Sequence, residues 1–414
     1  MATSLGRKVS LRAQAAIYGS GMFWDCGYNV VIPLWLIALH TPPFAFGVVI
    51  GCRALLPWLF AIHGGTLMDR LGGRPVMLAV VLVGLVPPIL FPAFPHVWVA
   101  ALLQLITGFT STMTWVGAQT TVSQHLGGDQ RYFSRLSFYN RLGSMFCPLT
   151  AGIIWDAFGP WGAFGFLLAG SIILVICALM LPTASAEEAK DAGTHVRPKV
   201  RLRDWVPHFG DYVAAFRLMA IPAVLLTVVA SILNVGTGAI QQSFYVAYLE
   251  KIGMTGTLIG ILVASPNILA ITGTLWLRGL LRWLGDIRLL NAAVFLSITC
   301  TTIVPLFSTF TFLFILGLLR GFSMGVSQPL MISIPSNSVP PGAEGASVGL
   351  RITMNRMVQT LMPPFMGAVV QAIGLENSFY VIGGSLMALV GVSFYLSRGI
   401  MPPKPSREPT LKMK

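Results

Sequence analysis

Twelve apolar runs, spaced along almost the whole chain, constrain its fold more than any other feature. The first extends from just after Arg12 to Leu39. The others lie at about 44–67, 76–94, 97–122, 134–155, 161–182, 219–249, 257–281, 289–308, 310–335, 346–373 and 377–397. A helix needs about 20 apolar residues to span the hydrocarbon core of a bilayer. Inside that core every backbone N–H and C=O must be paired within the protein, which leaves helices or a closed barrel. Runs of this length read as helices. Only 10% of the residues are charged, against about 25% in a soluble domain. The first run outlasts the apolar stretch of a signal peptide and contains Asp25, so it reads as an uncleaved first helix.

The gaps between runs are short except for 184–217, which is polar and holds Lys190, Arg197, Lys199, Arg201 and Arg203. It divides the chain into an N-terminal six-helix bundle (1–183), a cytoplasmic linker (184–217), a C-terminal six-helix bundle (218–398) and a basic tail (399–414). In a soluble protein a net charge of +13 would suggest nucleic acid. Here 21 of the 27 Lys and Arg residues fall at the two ends and in alternate gaps, while the intervening gaps hold only Lys251. Cytoplasmic loops concentrate Lys and Arg, so both termini are expected in the cytoplasm, most simply at a bacterial inner membrane. Membrane lipids are therefore expected partners and nucleic acid is not, and the chain reads as a monomer.

The two sets of six repeat. Asn140-Arg141, Pro148, Gly152 and Gly159 recur 215 residues later as Asn355-Arg356, Pro363, Gly367 and Gly374. Gly108-Phe109 recurs as Gly321-Phe322, and Leu71-Gly72 as Leu284-Gly285, both 213 residues on. A constant offset across several helices marks a duplicated six-helix unit, as in transporters built from two similar halves. The expected fold is therefore an all-α membrane protein of twelve transmembrane helices in two pseudo-symmetric six-helix bundles.

Between the second and third runs stands Gly65-Thr66-Leu67-Met68-Asp69-Arg70-Leu71-Gly72-Gly73-Arg74. It resembles the loop signature of the major facilitator superfamily, G-x-L-x-D-R-x-G-R-[R/K]. Six of its seven defined positions match, and Gly73 stands where the first terminal Arg is expected. The resemblance implies a cytoplasmic gate, formed by Gly65, Asp69, Arg70, Gly72 and Arg74, that latches the two bundles together. Asp69 would meet the positive N-terminal end of helix eleven, or Arg351 in its early turns, when that side is closed. In helix five, Gly143, Pro148 and Gly152 resemble the G-x-x-x-G-P-x-x-G-G motif of antiporters in this superfamily, with Cys147 and Ala151 replacing two glycines. Small residues also simply let helices pack closely in lipid, so the motif leans toward export without deciding it. The superfamily's helix-four arginine, four residues before Gly108, is replaced by Gln104. In similar antiporters that arginine is implicated in proton transfer, so its absence puts a standard drug/proton mechanism in doubt.

Ionisable residues inside a bilayer are costly and mark function. Asp25 is the one acid deep in a span. It reads as a proton-coupling or cation-binding carboxylate, or as the static partner of a nearby arginine. Arg53 and Arg320 are candidate cavity residues, whereas Arg141, Arg351 and Arg356 start nearer the cytoplasmic ends, where long side chains snorkel. Five bases against one acid favour anions in the interior. Helices one, four, seven and ten line the cavity in this superfamily. The resemblance therefore implies a substrate-facing set of Asn29, Trp115, Gln119, Asn234, Gln241, Tyr245 and Gln328, alongside Asp25, Arg53 and Arg320.

The five cysteines lie in apolar runs without metal-ligand spacing, and no nucleotide-binding loop, catalytic triad or metal cluster is visible. No enzyme, cofactor or metal is expected. The expectation is a secondary transporter that exports a small organic solute by proton-coupled alternating access. Uptake or exchange of an organic anion held by the intramembrane arginines is the alternative, and a non-transporting receptor or scaffold is the remote one.

Overall fold

A computed structural model describes residues 11–71, 73–125, 130–181, 217–336, 338–339 and 344–397. Their order gives twelve helices. α1 is Leu11–Phe23 and Tyr28–Ala38, interrupted at Gly27. α2 is Pro43–Leu71, α3 is Gly73–Val83 with Val86–Ala93, and α4 is Val97–His125. One continuous stretch, Gln130–Met180, contains α5 (130–158) and α6 (160–180), separated at Gly159, whose φ of 65° no helix adopts. α7 is Pro222–Gln241 with Phe244–Lys251, α8 Gly256–Leu284, α9 Asp286–Thr302, α10 Phe310–Ser336, α11 Glu344–Ile373 and α12 Leu375–Ser397. By length and apolarity alone, eight stretches qualify as membrane spans, one of them holding α5 and α6 together. The remaining three helices fall short for visible reasons. α1 is broken, α9 has 17 residues, and α11 carries Arg351 and Arg356.

Most of the expected linker and all of the tail (399–414) lie outside the described residues. Gly72 does too, while Gly65, Asp69 and Arg70 fall on the last turns of α2, where side chains are outside the description. The outward surface is apolar, with Trp98, Phe158 and Trp161 exposed near one end of the bundle and Trp276, Trp283 and Tyr395 near the other. Two such aromatic girdles mark the interfaces of a bilayer.

The duplication is visible in the packing. Gly108 of α4 abuts the carbonyl of Arg53 in α2, and Gly321 of α10 abuts the carbonyl of Pro266 in α8. Both members of the second pair stand 213 residues beyond the first. The contacts between halves repeat in the same way. Gly47 of α2 lies against the carbonyl of Pro363 in α11, and Gly260 of α8 against that of Pro148 in α5. Gly152 of α5 lies against the carbonyl of Gly256 in α8, and Gly367 of α11 against that of Pro43 in α2. At each of these glycines a Cβ would collide with backbone. The absence of a side chain is what permits the approach.

All four of these inter-half contacts lie toward one end of the molecule. A single hydrophobic core there takes residues from both halves, with Val31, Trp35 and Phe46 beside Phe244, Leu249 and Met366. The rings of Phe46 and Phe244 are 5.0 Å apart. The carboxylate of Asp156, at the end of α5, accepts hydrogen bonds from the amides of Gly256 and Thr257 (both 2.7 Å) and from the Thr257 hydroxyl (2.6 Å). It thereby caps the N-terminus of α8 across the two halves, where orphan N–H groups and the helix dipole favour a negative charge. Toward the other end, the buried clusters belong to one half or the other. Ile17, Met77 and Leu136 form one, and Leu233, Leu290 and Leu330 another. The molecule is closed at the Asp156 end.

The closed end should therefore be sensitive to any side chain added at its glycines. Gly152→Val or Gly47→Val is expected to destabilise the closed end by about 1–3 kcal/mol through overpacking. Spin labels at Pro42 and Glu250 should then report a longer inter-half distance in a large fraction of molecules. An unchanged distance distribution in both variants would remove these contacts as determinants of the closed state.

Candidate functional site

The interruption in α1 generates the site. Gly27 has φ 71°, and a Cβ there would meet the Ala151 Cβ at 3.0 Å and the Phe166 ring at 3.2 Å. Cys26 touches Cys147 of α5, sulfur to sulfur at 3.1 Å, both as free thiols. The small residues of the helix-five motif thus serve two neighbours. Cys147 and Ala151 receive the kink of α1, while Pro148 and Gly152, one position on, receive α8. Gly143 abuts the carbonyl of Met22. Unwinding α1 at this point aims Asp25 and Asn29 into a cavity of about 380 Å³ between the halves.

Asp25 is engaged on both oxygens. Oδ1 pairs with the Arg53 guanidinium, and Oδ2 accepts from the Asn29 amide at 3.2 Å. Arg53 also donates to the Asn29 carbonyl oxygen at 2.9 Å and lies 5.3 Å from the Tyr28 ring centroid, a cation–π contact. The close approach at Gly108 holds α2 against α4 beside this pair. Trp24 donates from Nε1 to Asn140 at 2.8 Å and closes the wall beside it.

The second half contributes differently. Asn234 donates to Ser327 Oγ at 3.2 Å, tying α7 to α10, and Gln241 and Gln328 also face the cavity. Arg320 lies on the same wall with 6% of its surface exposed and makes no ion pair among the described residues. Arg356 faces the cavity as well, donating to Gln359 Oε1 at 3.0 Å, close enough to feel the charges of Arg53 and Asp25. Its expected snorkelling is corrected by the structure. The cavity itself supplies the polar surroundings that an arginine at that depth would otherwise seek at the membrane surface.

Of the residues expected to face substrate, Asp25, Asn29, Arg53, Asn234, Gln241, Arg320 and Gln328 share this one cavity. Trp115, Gln119 and Tyr245 do not line it. Trp115 stands behind Trp24, ring centroids 5.6 Å apart. Tyr245 follows the break in α7 after Gln241 and is turned into the shared core. Gln104, standing where the family's helix-four arginine is expected, is 1% exposed and lines the cavity with an unpaired Oε1. Sequence reasoning named Asn140 only as a marker of the repeat and did not single out Asn267 or Gln359, yet the amides of all three line the cavity. Of the expected gate residues, Arg74 donates to the Leu179 carbonyl at 3.1 Å, and Arg351 lies in the early turns of α11 away from the cavity.

Two duplicated six-helix units that seal a polar cavity at one end define a solute carrier. A sequence profile of the Major Facilitator Superfamily matches residues 15–358 and 292–413. The chain belongs to that superfamily: it is an integral, multi-pass membrane transporter and not an enzyme. The tetracycline resistance protein, class G, of Vibrio anguillarum is 24% identical over 373 residues, covering 87% of this chain and 88% of that protein. The class C protein of Escherichia coli is 26% identical over 273 residues, covering 63% and 65%. Among solved structures, the nucleoside transporter NupG matches with a TM-score of 0.74 at 15% identity, covering 93% of this chain and 98% of that one. A bacterial homolog of the human lysosomal transporter Spinster, inward-facing and occupied, matches at 0.71 and 13%, covering 93% and 96%. At such identities the likeness is one of fold.

Removing one member of a partly buried ion pair strands the other charge. Asp25→Asn and Arg53→Gln should each lower the apparent Tm in detergent by several degrees, and the double variant by less than their sum. Additive losses would show that the pair contributes no coupling.

Proposed function

We propose that this protein exports a small organic solute by proton-coupled alternating access, with Asp25 as the coupling acid. The observation that carries this is placement. Asp25 is the one carboxylate among the described residues that lines the cavity, and it sits on the kink of α1, tied to α2 through Arg53. A proton on Asp25 removes the charge that holds Arg53, so protonation changes a contact between helices. That is the link a coupled carrier needs between ion binding and conformation. The tetracycline resistance relatives support the outward direction, since a membrane carrier confers resistance by lowering the internal concentration of the compound. The basic loops support placing the open end in the cytoplasm of a bacterium, with the six-helix bundles as residues 1–183 and 218–398. In that frame the clasp at Asp156 is extracellular, and the loop of Asp69 and Arg70 gates the opposite side.

A second reading is uptake or exchange of an organic anion. The observation behind it is charge: three arginines and one carboxylate line the cavity. Reconstitution into vesicles with an imposed proton gradient separates the readings through the sign of accumulation. Under the first, Asp25→Asn should abolish gradient-driven transport of the solute while leaving solute exchange within a fewfold of wild type. Undiminished driven transport in Asp25→Asn would overturn Asp25 as the coupling acid.

A further inference from the structure

Arg320 is the cavity arginine that has neither a hydrogen-bond nor an ion-pair partner among the described residues, although the Tyr245 hydroxyl and the Cys300 thiol lie close enough to interact with its charge. Arg53 is spent on Asp25 and Asn29, and Arg356 donates to Gln359 and feels the charge of Arg53 as well as that of the same carboxylate. Arg320 is more than nine-tenths buried, its Nε has no hydrogen-bond partner, and it makes no ion pair among the described residues. Gly238 of α7 lies opposite the guanidinium, and a Cβ there would stand 3.6 Å from an Nη, so the wall facing Arg320 is left bare. Gln241, on the same helix, keeps an unpaired Oε1. A buried guanidinium without an acid is held at a large desolvation penalty. A fork of N–H donors that no protein group uses fits a carboxylate or phosphate oxygen pair.

We propose that Arg320 is the seat of an oxyanion group on the transported solute, which is therefore a small organic anion. The side-chain carbonyl of Gln241, about one turn along α7 from Gly238 and on the same cavity, takes an N–H or O–H of the same molecule. A cavity of about 380 Å³ is at the small end of pockets for drug-sized ligands, so the solute is compact. The inference rests on this cavity being the transport site and not on the direction of transport.

The test is equilibrium binding to the purified full-length protein, which needs neither a gradient nor turnover. Its failure would leave the export reading standing, and failure of the Asp25→Asn transport test would leave the anion seat standing. The probes are matched acid and amide pairs, benzoate with benzamide and nicotinate with nicotinamide, read by thermal shift and by the fluorescence of Trp24 in the cavity wall. The acids should bind wild type and the amides should bind at least tenfold more weakly. Arg320→Gln should lose that preference, and Arg320→Lys should recover part of it. If Arg320→Gln fails to fold, Gly238→Asp provides the second arm. Its carboxylate faces the guanidinium and should displace the acids without removing the arginine. Equal binding of acids and amides by wild type, or an unchanged acid preference in both Arg320→Gln and Gly238→Asp, would overturn the proposal. So would equal protection by sodium phosphate, which would put a free inorganic anion on Arg320 rather than a group of the solute.

Discussion

The structure depends on backbone meeting backbone between the two halves at the closed end. Lipid supplies no hydrophobic force to bring helices together, so association must come from close packing and hydrogen bonds. Gly47, Gly152, Gly260 and Gly367 each place the bare face of one helix against a carbonyl of the other half. From these contacts follow the shared core around Phe46 and Phe244, the seal over the cavity and the position of the α1 kink against α5. The two interfaces are equivalent in packing but not in polarity. Asp156 caps α8 through the amides of Gly256 and Thr257, whereas at the related position of α2 stands Pro43, which has no N–H to offer. The α5–α8 interface therefore carries a polar clasp that the α2–α11 interface lacks.

Charge is distributed just as unevenly. The first half brings the acid and pairs it within its own helices, and the second half brings Arg320 and Arg356 without an acid of its own on the cavity wall. Gln104 adds to this asymmetry. An arginine at its buried position would crowd a second guanidinium onto the first half's cavity wall near Arg53, and a neutral amide avoids that repulsion while keeping a hydrogen-bonding group in the cavity.

The fold was legible in the sequence because the bilayer imposes length and apolarity on every span, and because duplication leaves its offset in glycines and prolines that packing needs. Gly152 and Gly367 could be paired by counting. Their partners, Gly256 and Pro43, could not, since which helices of opposite halves touch is decided in three dimensions. The lining of the cavity was legible on α1 and α7, where Asp25, Asn29, Asn234 and Gln241 interrupt apolar runs. Trp115 and Tyr245, which the family resemblance implied to face substrate, lie off the cavity because α1 and α7 are interrupted. Trp115 is eleven residues from Gln104 and only about 20° from it around the helix, yet Trp24 from the kinked α1 intervenes. Tyr245 shares a face with Asn234 and Gln241 only if α7 continues unbroken, and the interruption at Gln242 and Ser243 resets its direction. Arg356 was judged by its distance from the membrane surface, a rule that fails where a polar cavity reaches into the bundle.

The charge of the solute and the direction of its movement are one question in this cavity. A proton on Asp25 cancels the acid and leaves Arg53 unanswered, so the site becomes more positive by one unit. An anion on Arg320 then binds more tightly, not less, and electrostatics alone couples proton and anion in the same direction. A cationic solute would compete with the proton for Asp25 and be coupled in the opposite sense. Export of an anion against a proton therefore requires the conformational term to have the other sign. Breaking the Asp25–Arg53 tie between α1 and α2 must disfavour the state in which Arg320 is reachable by more than the added charge favours binding. The membrane potential assists such an exporter, since each negative charge leaving an inside-negative cell gains about 2.3 kcal/mol per 100 mV. The pair on the kinked helix is thus the point at which the two terms meet. It is the ion pair that a proton dissolves, and it also ties the kinked α1 to α2, one of the helices whose glycines build the closed end.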